Sequence, residues 1–178
     1  MNDPWKAVPS WGPIPACPGS WTWGKLMEIA LECADEGACK GEVPVGAVIV
    51  DSVGRILSKA HNETIMSCDP TAHAEVLALR RAAVGCGNFR LNGCVLVVTL
   101  EPCLTCAGAL REARVSGVVF GASDARAGAI VSCLDGLDYT RTAGAPWCYG
   151  GVEAQSCADR LRAFFHKKRM NATENENV

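Results

Sequence analysis

His73-Ala74-Glu75, followed farther along by Pro102-Cys103-Leu104-Thr105-Cys106, is the pair of stretches that decides how this chain folds and what it can do. One imidazole and two thiolates are three ligands of the softness that Zn²⁺ prefers, and a tetrahedral ion then keeps its fourth position for water. Cys103 and Cys106 stand three residues apart, so on the first turn of a helix both sulfurs face one side. Pro102 suits that opening turn, because its missing N–H would have had no partner there. The partial positive charge at a helix N-terminus favours the thiolates that a metal requires. His73 lies at the start of a second helix. Two helix starts facing each other across the ends of strands would bring three ligands to one ion, with Glu75 beside the water and off the metal. Three ligands and a spare carboxylate make a catalytic site; a structural one closes with four. Taken singly, His73 could be a satisfied helix-start residue, and the cysteines core thiols or a redox pair. The redox reading leaves Glu75 idle.

Around these stretches the apolar pattern sets out the rest of the fold. Leu26, Ile29, Ala30, Cys33 and Ala34 follow helical spacing after Trp21, and Gly37 is expected to end the run. Residues 45–50 read as a strand, Asp51-Ser52-Val53-Gly54 as a tight turn, and residues 55–60 as the return strand. Asp69 is expected to cap the next helix, with Pro70 in its first position and Val76, Leu77, Leu79 and Ala83 as its apolar residues. Residues 93–99 are a near-continuous apolar strand, the kind covered on both faces. Pro102 opens a helix to about Arg114, residues 115–120 form a further strand, and a last helix covers about 153–168. That helix turns Cys157, Leu161 and Phe164 or Phe165 inward. The order is that of an α/β sheet layered with helices, its first two strands antiparallel and its later ones joined by helical crossovers.

Three divisions follow. Residues 1–20, with five prolines and two tryptophans, are an irregular extension expected to pack on the domain through Trp5 and Trp11. Residues 21–170 form the zinc-bearing domain, and 171–178 a polar tail expected to be disordered. At 178 residues and 49% hydrophobic content the chain suffices for one domain with a real core. No apolar run approaches the roughly 20 residues of a membrane span, and the N-terminus lacks an export pattern. Eleven cysteines without such a pattern read as reduced thiols, two on metal and most others, among them Cys33, Cys94, Cys133 and Cys157, as small core residues. His61 and His166 are expected to face solvent, Glu101 to be structural, and Cys39, Cys68 and Cys86 support no specific second metal site. A net charge of −2 gives no global attraction to nucleic acid, so any RNA binding needs a local basic face.

The H-x-E and P-C-x-x-C elements form the signature of zinc deaminases, and the chain resembles the cytidine-deaminase-like superfamily. Within it, the chain is similar to the bacterial tRNA adenosine deaminases. Val43-Pro44-Val45-Gly46-Ala47, Asp69-Pro70-Thr71-Ala72-His73-Ala74-Glu75 and Asn88-Phe89-Arg90-Leu91 carry the likeness. So do Thr99-Leu100-Glu101-Pro102-Cys103, Cys106-Ala107-Gly108-Ala109, Val119-Phe120-Gly121-Ala122, then Asp124, Ala125 and Gly128, and Phe164-Phe165 with the basic residues after them. The resemblance implies a three-layer α/β/α fold, with a central mixed sheet of about five strands and helices on both faces. It implies one Zn²⁺ per subunit on His73, Cys103 and Cys106, with Glu75 moving protons, and hydrolytic conversion of adenosine to inosine at the wobble position of tRNA anticodons. A cytoplasmic homodimer, off the membrane, on an anticodon stem-loop completes that picture.

Asn62 would then hydrogen-bond the flipped nucleoside, though a turn residue is an equal reading. Asp124 would touch a flanking ribose 2′-OH, with turn capping as the alternative. Arg126 at the rim, and Phe165, Lys168 and Arg169 with His166 and Lys167 on the last helix, would meet RNA. An ordinary solvated helix end is the other reading of that basic run. A deaminase of free guanine, cytosine or a nucleoside is the nearest rival, and a non-catalytic zinc-stabilised RNA-binding module a third. Two features depart from the family: Thr105 replaces a bulky apolar residue, and residues 136–150 lack the β-branched alternation of its final strand.

Overall fold

The computed structural model describes residues 15–133, 135–137 and 146–175. The Thr22 hydroxyl accepts the Lys25 N–H and so starts α1 (Trp23–Cys39). β1 (Gly46–Val50) and β2 (Ile56–His61) form a hairpin, followed by α2 (Ala74–Cys86) and β3 (Val95–Leu100). Then come α3 (Leu104–Glu112), β4 (Gly117–Ala122), β5 (Trp147–Gly150) and α4 (Ala154–Asn175). The strands lie in the order β2-β1-β3-β4-β5. β1 is antiparallel to both β2 and β3, and β3, β4 and β5 run parallel. The mixed sheet carries helices on both faces. Ala47, Ile49, Leu96, Val98, Val118 and Phe120 point to the side of α2 and α3; Val48, Val50, Val95, Val97 and Val119 point to α1 and the start of α4. That two-sided burial is why the strands read as continuous apolar runs.

The topology also places the site. β2 and β3 are both antiparallel to β1, so they point the same way, and the chain leaves both at one end of the sheet. α2 follows β2, α3 follows β3, and both pack on one face. Their N-termini therefore meet.

Several expectations are corrected. Gly37 does not end α1; it is buried inside it, where an added Cβ would lie 3.1 Å from the Cβ of His61, and the left-handed residue comes later, at Gly41 (φ 83°). Asp69 and Pro70 form a turn ahead of α2, with the Asp69 carboxylate accepting the Thr71 N–H at 2.8 Å and the Thr71 hydroxyl at 2.7 Å. The residue at the N-cap position is His73. Pro102 likewise precedes the helix, and Cys103 is the N-cap residue of α3. His61, expected in solvent, is buried; Cys133, expected in the core, is exposed together with Cys39, Cys68 and Cys86. α4 continues to Asn175, so residues 171–175 of the expected disordered tail are helical. Of the two inward candidates on α4, Phe165 packs on the core, while Phe164 carries Lys168 over its ring at 5.1 Å.

Where the last strand was illegible, β5 pairs through Trp147↔Gly117 to Gly150↔Phe120. The Trp147 indole fills the space that a side chain at Gly117 would need, and meets Trp23 edge-on at 5.9 Å. Trp5, Trp11 and residues 138–145 lie outside the described residues. Pro15 accepts the Trp23 indole N–H at 2.8 Å, and Trp21 donates to Gly54 at 2.8 Å. No described helix is long and apolar enough to cross a membrane.

Candidate metal centre

At the shared end of β2 and β3, three donor atoms form a nearly equilateral triangle. His73 Nδ1 lies 3.6 Å from Cys103 Sγ and 3.4 Å from Cys106 Sγ, and the sulfurs are 3.6 Å apart. A tetrahedral Zn²⁺ with ordinary bond lengths needs donor edges of about 3.8 Å between sulfurs and about 3.6 Å between sulfur and nitrogen. The triangle therefore fits zinc, needing only to open by about 0.2 Å along two of its edges. Among the described residues it is the one cluster of this kind, and Cys39, Cys68 and Cys86 form none. The chain is built to hold one Zn²⁺.

Each ligand is placed by a helix start. His73 and Cys103 hold extended backbone (ψ 150° and 174°) at their N-caps, which turns their side chains towards each other ahead of the first turns. Cys106 lies one turn into α3 and is buried. Crowding makes the donors share protons. The Cys106 S–H and His73 hold the Cys103 thiol down to about 3, and donation to Cys103, with burial, pushes Cys106 up. The hydrogen bond to Cys103 raises His73. A metal displaces such shared protons, so a site that already makes one thiolate is poised for it.

Glu75 is in the first turn of α2, 4% exposed, and hydrogen-bonds the Cys106 thiol and its own N–H. Burial pushes its carboxyl above the usual range. Asn62 is also buried, and its Oδ1 accepts the Ala74 N–H at 2.9 Å. It thus gives the first backbone donor of α2, one of those a helix start leaves open, a partner from outside the helix. Its Nδ2 has no partner among the described residues. The neighbouring His61 donates from Nδ1 to the Asn62 carbonyl at 2.7 Å, which leaves Nε2 to accept from Lys40 at 2.9 Å.

Two carboxylates absent from the sequence-based site hold the loops on either side. Glu42, fully buried, accepts the Ile65 and Met66 N–H groups at 2.9 and 2.8 Å and the Thr64 hydroxyl at 3.1 Å. Glu101, expected to be structural, accepts the N–H groups of Ile130, Val131 and Ser132 on Oε1 and that of Asp124, with the Ser132 hydroxyl, on Oε2. A lone acid in an apolar stretch is the only local sign of such a role, and Glu42, in Gly41-Glu42-Val43, shows it.

The expected RNA contacts fall in two places. Asp124 caps a turn, accepting the Arg126 N–H at 2.9 Å and the Ala127 N–H at 3.3 Å, and Arg126 is exposed in that turn. Arg162, Ala163, Phe165, His166 and Arg169 line a groove of about 540 Å³ on α4. Lys167 and Lys168 are exposed beside it.

Residues 22–122 match the cytidine and deoxycytidylate deaminase zinc-binding region, more than half of the chain. Over 145 residues the chain is 45% identical to the tRNA-specific adenosine deaminase of Haemophilus influenzae, covering 82% of this chain and 84% of that one. It is 44% identical over 152 residues to the tRNA(Ile)-lysidine synthase of Deinococcus deserti, spanning 85% of this chain but 28% of that much longer relative. A solved chain from a study of A-to-I editing by tRNA:A34 deaminases at the wobble position of transfer RNA superposes with a TM-score of 0.74 at 38% identity. That match covers 77% of this chain and 99% of the other. The chain belongs to the cytidine and deoxycytidylate deaminase zinc-binding family and, within it, to the tRNA-specific adenosine deaminases, which are zinc-dependent hydrolases.

Proposed function

We propose that residues 21–170 convert adenosine to inosine at the wobble position of a tRNA anticodon, in the cytoplasm and as a homodimer. The observation that carries this reading is the triangle of His73, Cys103 and Cys106 with a buried carboxylate, Glu75, against one of its corners. Zinc, when bound, supplies the Lewis acidity that makes water nucleophilic near neutral pH. Glu75 takes the proton of the attacking water and delivers it to the purine ring nitrogen as the C–O bond forms. It then moves the proton of the newly formed hydroxyl to the exocyclic amine; as that oxygen becomes the inosine carbonyl, the C–N bond breaks and ammonia leaves. Water and adenosine become inosine and ammonia, with no redox change. The side-chain amide of Asn62 offers an unused N–H₂ group beside the start of α2, suited to a base or ribose acceptor.

Asp124 and Arg126 on one loop, and Phe165, Lys168 and Arg169 on α4, supply the RNA contacts. A basic helix end beside an aromatic groove supports this despite the net charge of −2. The dimer reading is supported by an apolar groove of about 310 Å³ lined by Val76, Leu79, Phe89 and Ala109 among others. It is also supported by Gly108, beside which an added Cβ would meet nothing within 4 Å. Ala107, by contrast, is buried and contributes nothing to that face. The deciding assay compares inosine formation and ammonia release from an anticodon stem-loop with release from free guanine, cytosine and adenosine. Faster turnover of a free base than of the stem-loop defeats the proposal.

A further inference from the structure

We propose that Glu101 is a positioning residue for the loop 124–132: one carboxylate staples both ends of the loop and locks it in register with the metal helix. The substrate then meets a loop that is already ordered. The proposal rests on the reading that this loop faces RNA.

The staple is unusually complete. At the start of the loop the Asp124 N–H donates to Oε2 at 3.0 Å; at its end Ile130, Val131 and Ser132 donate to Oε1 at 3.1, 2.8 and 2.9 Å. The Ser132 hydroxyl adds a fifth donor, on Oε2. An ionised carboxylate has about four lone-pair positions, so this one is saturated. Glu101 directly precedes Pro102 and the ligand Cys103, and the same segment grips the loop by its backbone as well. The Ala129 N–H donates to the Pro102 carbonyl at 2.8 Å, and Cys103 and Gly128 form an isolated β-bridge. Gly128 sits so close that any side chain there would collide with the Glu101 carboxyl group. Between the fixed ends, Asp124 closes the turn that carries Arg126. The loop contains no helix or strand of its own, and this carboxylate, together with the backbone contacts to Pro102 and Cys103, holds it in order.

A ligand's apparent dissociation constant is its intrinsic value divided by the fraction of protein in the binding-competent state. Loosening the loop should therefore raise KM and leave kcat, which belongs to Glu75 and the metal, nearly unchanged. Glu101→Gln replaces an accepting oxygen with an N–H₂ group and leaves at least one loop donor unpaired. The loss of one hydrogen bond to a charged group corresponds to about tenfold or more in KM for the stem-loop. Zinc content should stay at one per chain, and hydrogen exchange at amides 124 and 130–132 should speed up. Gly128→Ala should act in the same direction by pushing on the carboxyl group, and Ser132→Ala more weakly. These two variants decide the matter if Glu101→Gln does not fold.

A fall in kcat at unchanged KM would mean that Glu101 serves the fold or the metal alone, and would overturn the proposal. So would wild-type KM in the variants despite faster exchange. If wild-type protein does not turn over the stem-loop, the RNA reading has failed. The staple then stands or falls on exchange, and protection that is unchanged in Glu101→Gln overturns it.

Discussion

Glu75 and Glu101 start from the same place and end in different surroundings. Each is two residues from a metal ligand, each lies by a helix start, and exposures of 4% and 2% leave no contrast in burial to separate them. Their donors separate them. Glu101 accepts four backbone N–H groups and a hydroxyl, all held by one loop, so its charge is fully compensated. Glu75 has its own N–H and the thiol of Cys106, and burial dominates, pushing its carboxyl up. A carboxylate whose lone pairs are filled by backbone donors works as scaffold; one short of donors keeps its oxygens open to other partners. Glu42, with two N–H donors and a hydroxyl, is of the first kind.

Removing zinc should have the largest effect, because it takes away what both helix starts converge on. Chelation should abolish ammonia release and lower the thermal midpoint, and stoichiometric Zn²⁺ should restore both. Activity that survives full removal would detach Glu75 from the metal altogether.

Glu75→Ala comes next. Turnover should fall by about 10²–10⁴-fold, the range for a general acid–base group, with zinc content and thermal midpoint held near wild type. A variant within a few-fold of wild type would erase the distinction from Glu101.

Glu42→Gln asks the opposite of a saturated carboxylate. It should cost about 1.5–3 kcal/mol of stability in denaturant unfolding, as expected for hydrogen bonds to a charged group, with kcat within a few-fold of wild type. Unchanged stability would show that saturation by backbone donors is not what makes such a group structural.

The smallest effect is expected at Asp51, whose donors compete with partial burial. Burial works against its ionisation, but N–H groups of Arg55 and Val53 and the Arg55 guanidinium outweigh it and hold the carboxyl below its usual range. A depressed native pKa means that the unfolded chain binds the proton more readily. The stabilisation is therefore full above the usual carboxylate value of about 3.9 and fades as pH falls through the native one. Wild type should lead Asp51→Asn in thermal midpoint at pH 7, and the lead should vanish in acid. A lead that does not change with pH would point to packing at the turn.

The site's chemistry was legible because it is concentrated in short motifs. His73, Glu75, Cys103 and Cys106 lie within two helix starts, and residue type plus spacing already constrains which ligands can share an ion. The strands β1 and β3 were legible for a similar reason, as apolar runs covered on both sides. What misled was local pattern standing in for long-range contact. Asp69-Pro70 looks like a helix start, but the first N–H of α2 is met by Asn62, twelve residues away. Gly37 looks like a helix stop, but it is small so that His61 can pack against α1. β5 shows no strand pattern, because pairing with β4 and the seating of Trp147 over Gly117 make it a strand.

The sequence by itself determined the ligands, the carboxylate beside them and the α/β alternation, since each is set by residue chemistry over a few neighbouring positions. Only the tertiary structure decided which buried carboxylate is saturated with donors and which is left short of them. That depends on how many donors reach each oxygen, and those of Glu101 come from backbone N–H groups 23 to 31 residues away. A backbone N–H is the same at every residue except proline, so no side-chain pattern records where it points.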